Sequence, residues 1–254
     1  MTRAIPRTNF HSSKLIRCLA DLALVDAVEP EAAFAEKLGL WIHFTDAIAL
    51  SAVHNDSMPS SLKQPPEAKV AARDAIVVEF ERIQTMLTNS IMSSCSPKSG
   101  KAHIKLPTPE LDLPMNFATA YAPYHRFYQA HQRDMELSIQ PLRINTRHAL
   151  AKASPRLRKL ADLDATLEKV MRERESKLLA KVPVLLKSRF EQLFKAHQQR
   201  LVDTQQADNP AAWTKAGAWL ADFCNDMQML LLAELELRLQ VTVGLMEAFG
   251  TDNE

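Results

Sequence analysis

Hydrophobic and polar positions alternate with the period of an α-helix along most of this chain. The clearest case lies between residues 210 and 249, where apolar side chains recur every three or four positions and so share one helical face. Such a face must pack against another helix, either of the same chain or of a second copy. We call this set the C-terminal seam, and its members are Trp213, Leu220, Phe223, Met227, Leu230, Leu237 and Val241.

One charged residue, Glu234, interrupts the C-terminal seam. A charge within a packed helical face can set the register or the partner of the contact. It can also lie at the edge of that face and extend its carboxylate to water. The spacing alone leaves both interpretations open.

The segment before the C-terminal seam also has a helical pattern. A Ser-Pro pair at 154–155 is typical of an N-cap followed by a first helical residue, and this helix is predicted to reach about residue 205 with a kink at Pro183. An Asn-Pro pair at 209–210 predicts the start of the last helix. Since few residues separate the two helices, we predict a long antiparallel helical hairpin in the C-terminal half.

Shorter helical patterns lie nearer the N-terminus, in residues 12–24, from Glu29 onward and from Pro66 onward. Residues 93–114 hold four prolines and one glycine, which is typical of a loop. The predicted organisation is a small N-terminal helical bundle over residues 1–93, a loop or linker over 94–113, and a long-helix, coiled-coil-like domain over 114–254.

The composition agrees with an all-α fold. The chain has five glycines in 254 residues, about 2%, where roughly 7% is usual. Hairpin turns and phosphate-binding loops commonly require glycine, so the low glycine content argues against a sheet-rich enzyme. We therefore expect an all-α, elongated helical bundle.

Charge is segregated along the chain although the net charge is only +1. Residues 115–204 carry 17 basic and nine acidic side chains, whereas residues 205–254 carry two basic and eight acidic ones. Within the first of these stretches lies a run without any acid, which we call the basic segment; its cations are Arg143, Arg147, Lys152, Arg156, Arg158 and Lys159.

The basic segment has two interpretations. It can bind an anionic partner through its cations, such as nucleic acid, an acidic membrane or an acidic protein face. Alternatively it is structural, because cations at a helix end complement the helix dipole. In an antiparallel hairpin, moreover, its second half would lie near Glu247, Asp252 and Glu254.

A second stripe at helical spacing contains every tyrosine of the chain, followed by a histidine and a methionine: Tyr121, Tyr124, Tyr128, His131 and Met135. Tyrosines suit an interface because they combine an apolar body with a polar tip. The same spacing is typical of packing between helices inside a core, and this is the favoured interpretation.

Enzymatic motifs are missing from the sequence. A phosphate-binding loop at Gly100 would need glycine where Cys95 stands, and no Gly-x-Ser-x-Gly or His-Glu-x-x-His motif occurs. His43 with Asp46 and His131 with Asp134 are each three residues apart, but a pair of this kind without further ligands is more typical of a solvated or hydrogen-bonded surface. We therefore predict no catalytic residue, no metal site and no cofactor.

The expected location is the cytoplasm. The three cysteines, Cys18, Cys95 and Cys224, are odd in number and far apart, which suits a reducing compartment. No uninterrupted apolar run suits a signal peptide, and none approaches the roughly 20 residues of a membrane span. We expect no transmembrane segment.

Residues 5–55 also resemble a known family. The strings IPRTNFHSSKLIRCLADL, FAEKLG and LWIHFTDAIAL, with Glu29-Pro30 between the first two, are similar to a proteobacterial family known as domain of unknown function 3348. The resemblance implies a cytoplasmic protein of about 250 residues. It also implies genes beside those of proton-channel proteins of the flagellar-stator and Tol–Exb type and of OmpA-like proteins, and it implies no catalytic residues.

These features together predict a non-enzymatic protein that acts through protein–protein interaction, as a scaffold or adaptor. The resemblance suggests an accessory component of a proton-channel or OmpA-like envelope complex, with a membrane proton-channel subunit as partner. We also expect a homo-oligomer, and the C-terminal seam suits packing either within the chain or between chains. The alternative is an anion-binding module that contacts nucleic acid or acidic membrane through residues 143–159.

Overall fold

The computed structural model describes residues 13–25, 41–55, 65–95, 103–109 and 117–252. Its helices are α1 (Lys14–Asp21), α2 (Phe44–Asn55), α3 (Pro66–Ser94), α4 (Phe117–Ala153), α5 (Pro155–Leu179), α6 (Val182–Thr204) and α7 (Trp219–Thr251), with a short 3-10 helix at Pro210–Ala212. No residue in these described ranges belongs to a β-strand, which confirms the all-α class.

Two helix starts are stabilised by serine side chains, and the sequence predicts the second of them. The Ser13 hydroxyl accepts a hydrogen bond from the backbone N–H of Ile16 at the start of α1. The Ser154 hydroxyl accepts one from the backbone N–H of Leu157, 3.2 Å away, at the start of α5. Each hydroxyl satisfies a first-turn N–H group that has no acceptor within its own helix.

The prediction of one kinked helix from 154 to 205 is wrong. The chain leaves the helical conformation at Ala180 and Lys181, which form a turn, and α6 begins at Val182. Pro183 is the physical reason, because a proline has no N–H to donate to the carbonyl four residues earlier and its ring collides with that carbonyl. The proline therefore lies in the first turn of a new helix, where its missing N–H has little effect.

The last helix also begins later than predicted. Pro210 opens only a three-residue 3-10 helix, and α7 starts at Trp219. Between them Gly217 adopts a positive φ of 79°, a conformation that ends helical geometry and favours glycine. Trp213 therefore lies in a turn rather than on α7. Its ring is buried, and its indole N–H donates to the Asp208 carboxylate at 2.9 Å.

The helix predicted from Glu29 through residue 52 is interrupted in its described part. Residue Trp41 is helical, Ile42 and His43 are not, and α2 begins at Phe44. The Asp46 side chain accepts a hydrogen bond from the backbone N–H of His43, which stabilises this new start. Residues 26–40 lie outside the described ranges.

The chain divides into two compact units, each assembled from three stretches. The first unit comprises Met1–Glu31, Ser90–Gln132 and Ala180–Leu237. Its core is aromatic: the rings of Phe190 and Phe223 are 5.1 Å apart, and those of Phe194 and Trp219 are also 5.1 Å apart. These pairs advance along α6 while they retreat along α7, so the two helices form an antiparallel hairpin here.

The second unit comprises Ala32–Asn89, Arg133–Leu179 and Arg238–Glu254. Within it α2 packs against α5. Lys69 and Asp252 form an ion pair at 2.9 Å that links the start of α3 to the end of α7. The buried core of this unit draws on α3, α4, α5 and α7, through Ile76, Leu150, Ala153, Leu157, Ala161, Leu245 and Phe249.

Candidate functional site

The first two cations of the basic segment are engaged in ion pairs. Arg143 on α4 lies 2.5 Å from Asp164 on α5, and Arg147 lies 2.6 Å from Asp164 and 2.5 Å from Glu168. Arg147 exposes 11% of its side chain, and the other three residues are similarly shielded. Both arginines thus act as internal counter-ions between two helices, a role that the sequence did not reveal, because the acids it predicted lay near the second half of the segment.

The ion pairs of Arg143 and Arg147 also affect the pKa of Glu168. Burial raises the pKa of Glu168, but hydrogen bonds from Arg147 and Arg172 and the charges of Arg143 and Arg147 together lower it below its usual range. The carboxylate is therefore ionised at neutral pH and holds the arginines in place.

The remaining cations of the basic segment have mixed surroundings. The Arg158 guanidinium donates to the backbone carbonyl of Ala151 at 3.0 Å. Burial raises the pKa of Asp252, but hydrogen bonds from Lys69 and Ser154 and the charges of Lys69 and Arg156 lower it overall, so this acid lies near the segment as the structural interpretation requires. Lys152 is exposed and Lys159 is half-buried.

The C-terminal seam is buried only in its first part. Trp213, Leu220, Phe223, Met227 and Leu230 are all buried in the first unit. Leu237 is half-buried, and Val241 exposes 42% of its surface. Beyond Glu234 the buried stripe instead follows Leu235, Leu239, Thr242, Leu245 and Phe249.

The last residues of the C-terminal seam are not fully buried because of helical geometry. A straight α-helix has 3.6 residues per turn, so a stripe extrapolated at 3.5 residues drifts by about 20° per heptad. Over the three heptads from Leu220 to Val241 this rotation amounts to about 60° and moves Val241 out of the packed face. Spacing alone could not locate the point at which the buried face changes.

Glu234 is fully buried, so the interpretation that it reaches water is wrong. Its carboxylate accepts hydrogen bonds from the Tyr128 hydroxyl at 3.0 Å and from the Gln132 side-chain amide at 3.0 Å. A buried carboxylate with fitted donors ties α4 to α7 in one arrangement.

All three tyrosines are buried, so this part of the stripe on α4 belongs to the core of the first unit. Tyr121 lies against Phe190 and Phe223, with ring centroids 5.7 and 6.2 Å away. Its hydroxyl donates a short hydrogen bond to the backbone carbonyl of Pro183. This contact ties α4 to the start of α6.

The structure also pairs Ser94 with His131, which the sequence did not suggest. The Ser94 Oγ lies 3.0 Å from the His131 Nε2, and both residues are buried. Burial lowers the pKa of His131 to about 4, so the imidazole is neutral at physiological pH. The pair joins His131 on α4 to Ser94 at the end of α3.

Two cysteines of the first unit are protonated thiols. Burial raises the pKa of Cys95 to about 11, against a smaller lowering by its contact with Ser94. Burial, with a contribution from Cys95, raises the pKa of Cys224 to about 12. The thiolate is the nucleophilic form, so neither group is activated. Among the described residues, no group of three or more His, Cys, Asp or Glu side chains could hold a metal ion.

A surface groove of about 360 Å³ lies between α4 and α6 in the first unit. Tyr121, Ala122 and Val184 form its apolar lining, while His125, Arg126 and Lys187 supply its polar groups. We call these six residues the α4–α6 groove. Val184 exposes 59% of its surface, so a bulky apolar side chain faces solvent beside the cations.

Acidic residues are scarce in the sequence around the groove cations Arg126 and Lys187. Residues 117–132 and 180–190 contain no aspartate or glutamate, and the acid nearest to the groove cations in the sequence is Glu191, four residues after Lys187 on α6. Arg189, nearby on α6, pairs with Asp226 at 2.8 Å, whereas neither Arg126 nor Lys187 forms an ion pair with a residue that the structure describes. The sequence contains this signal as two acid-free stretches, but only the fold brings them to one groove.

None of the described helices is long and apolar enough to cross a membrane. The model of a family described as protein of unknown function (DUF3348) matches residues 1–251. Neither a curated protein nor a solved structure matches the chain.

Proposed function

The chain belongs to the DUF3348 family of proteins of unknown function, and we propose that it acts without catalysis, as an adaptor that binds other proteins. The single observation that carries this proposal is the α4–α6 groove. Exposed apolar surface beside cations that pair with none of the described acids is typical of a docking surface.

The floor of the α4–α6 groove favours binding because it is held in place before a partner arrives. Tyr121 is buried, contacts Phe190 and Phe223, and donates to the Pro183 carbonyl. An ordered floor needs little further ordering on association, which lowers the entropic cost of binding.

The proposal of a non-enzymatic role is supported by the state of the nucleophilic groups in the first unit. The thiols of Cys95 and Cys224 have raised pKa values, and the Ser94 and His131 pair is buried away from solvent. A hydrolytic or thiol-based site needs an accessible, activated nucleophile.

The anion-binding alternative through residues 143–159 is less favoured. Arg143 and Arg147 already neutralise Asp164 and Glu168, and Arg158 donates to a backbone carbonyl. Nucleic-acid affinity depends on many free cations, each neutralising one phosphate. This segment has fewer of them than its sequence suggests.

Two finer proposals extend this function. We propose that the partner is a component of a proton-channel or OmpA-like envelope complex, which rests on the family resemblance alone. We further propose that the protein is a cytoplasmic homo-oligomer, for which the exposed Val241 of the C-terminal seam offers a contact.

A crosslinking experiment tests the adaptor proposal. A photoreactive phenylalanine analogue replaces Val184 in the full chain, and in a matched control it replaces Val202, which exposes 70% on the same helix outside the groove. Irradiation of producing cells and mass spectrometry identify the adducts. We expect the analogue at position 184 to form an adduct with the same protein in repeated experiments. The analogue at position 202 should not form that adduct.

The same experiment separates the competing interpretations. Adducts to nucleic acid or lipid only, or identical adducts from both positions, would contradict the adaptor proposal. An envelope proton-channel subunit in the adduct would support the finer proposal about the partner.

A further inference from the structure

The α4–α6 groove repeats one arrangement on both of its helices. On α4, His125 follows Tyr121 by four residues and Arg126 follows Ala122 by four residues. On α6, Lys187 follows Val184 by three residues. Residues three or four apart lie on one helical face. Each wall therefore presents an apolar patch with a cation one turn further along.

This arrangement limits the chemistry of the occupant. The apolar patch is covered favourably only by apolar side chains, whose burial contributes about 25 cal/mol per Å². The cations favour carboxylates placed one turn away from those side chains. A nucleic-acid backbone supplies charge without apolar side chains, and the groove offers too few cations for phosphate-driven affinity.

A helical segment meets both requirements. An amphipathic helix lies in a groove between two helices with its apolar residues at i, i+3, i+4 and i+7, and carboxylates at its flanks then face the walls. Neither Arg126 nor Lys187 forms an ion pair with a residue that the structure describes, so both can pair with the carboxylates of such flanks.

We infer that the α4–α6 groove binds an acidic amphipathic helix of a partner protein, whose apolar face covers Tyr121, Ala122 and Val184 and whose carboxylates pair with Arg126 and Lys187. This inference rests on the proposed adaptor function and names the chemistry of the partner at the same site.

The test uses the full chain and three fluorescein-labelled 18-residue peptides. The acidic peptide carries leucine on one helical face, glutamate beside it and alanine elsewhere. In the second peptide lysine replaces every glutamate, and in the third serine replaces every leucine. Fluorescence anisotropy measures the affinity. We expect binding of the acidic peptide and at least tenfold weaker binding of the other two.

Charge reversal then locates the site. The double variant Arg126→Glu with Lys187→Glu should weaken binding of the acidic peptide at least tenfold and strengthen binding of the lysine peptide. The matched control reverses Lys195 and Arg200, two exposed cations of α6 outside the groove, so that the net charge changes equally. We expect the control to stay within about twofold of the wild type.

Removal of the apolar contact gives an independent arm. Val184→Ser should weaken binding of the acidic peptide about tenfold, whereas Val202→Ser, also an exposed valine of α6, should leave it unchanged. Both positions face solvent, so neither variant should alter folding, which urea unfolding checks.

Three outcomes would overturn the inference: equal losses in the Lys195 and Arg200 control, no preference for leucine over serine, or binding of anionic vesicles but not of the acidic peptide. If the reversed variant still forms the Val184 crosslink to a protein partner, the adaptor proposal survives and the acidic-helix inference fails. The two proposals therefore fail separately.

Discussion

Arg147 and Asp164 form a shielded ion pair, with the guanidinium Nη2 2.6 Å from the carboxylate Oδ2, that joins α4 to α5. The same guanidinium lies 2.5 Å from Glu168. A residue that the sequence nominated for anion binding is thus a counter-ion inside its own unit. The pair makes the stability of this unit depend on charge.

Replacement of Arg147 by methionine should therefore destabilise the protein. Asp164 and Glu168 would each lose a partner while remaining about nine-tenths shielded. We expect a loss of about 3 kcal/mol in the free energy of unfolding, measured with urea. Arg172→Ala is the control, because Arg172 pairs with the same Glu168 from a side chain that is 56% exposed. Its loss should stay below about 0.5 kcal/mol, and equal losses would contradict the role assigned to Arg147.

Buried His131 should make the protein less stable as the pH falls from about 6.5 to about 4. Burial lowers its pKa to about 4, whereas an unfolded histidine titrates near 6.5. Within that window the unfolded state binds more protons, so its contribution is complete above pH 6.5 and is lost progressively down to pH 4. The loss is on the order of 3 kcal/mol.

Urea unfolding at a series of pH values measures this dependence. His131→Gln should flatten the curve between pH 6.5 and 4, whereas His148→Gln, at an exposed position of the same helix, should leave its slope unchanged. An unchanged slope in His131→Gln would show that other groups govern the dependence.

The hydrogen bond between Tyr128 and Glu234 should contribute measurably to stability. Tyr128→Phe removes a donor from a fully buried carboxylate, so we expect a loss of about 1–2 kcal/mol. A double-mutant cycle with Glu234→Gln isolates the pair and should give a coupling energy of about 1 kcal/mol. Strict additivity of the two substitutions would argue against this contact.

The turn between α6 and α7 should depend on Asp208. Its Oδ1 lies 2.9 Å from the Trp213 indole nitrogen and 3.0 Å from the His197 Nε2. Asp208→Ala should cost about 1–3 kcal/mol and admit protease cleavage in residues 205–218. Asp203→Ala, which removes an exposed carboxylate at the end of α6, should do neither. If both variants resist protease cleavage in residues 205–218 equally well, the prediction is wrong.

Alanine substitutions on α7 should reveal where its buried face lies. Leu239→Ala should cost about 2–4 kcal/mol, because Leu239 is buried, and Val241→Ala less than about 0.5 kcal/mol, because Val241 is exposed.

Light scattering on Val241→Lys tests the homo-oligomer separately. A lower mass with unchanged stability would support a contact through this residue, and an unchanged mass would count against it.

Local chemistry made the helices predictable. Apolar periodicity indicated α1, α3, α4 and most of α7, and the cap at Ser154 lies where the sequence places it. These features depend on residues within one or two turns of each other, so the order of amino acids suffices to specify them. The sequence predicted a kink at Pro183, and the position is correct. The effect of the proline is larger than predicted, because Pro183 separates two helices instead of bending one.

The partners of each charge depended on which helices meet. Arg147 and Arg126 look alike in the sequence, since each follows an acid-free stretch, yet α5 brings Asp164 to the first while the second lines a groove. A helical stripe states which side chains share a face but not which helix covers it. Pairing, burial and the α4–α6 groove therefore arose from the packing of helices distant in the chain, where small rotations decide which side chains meet.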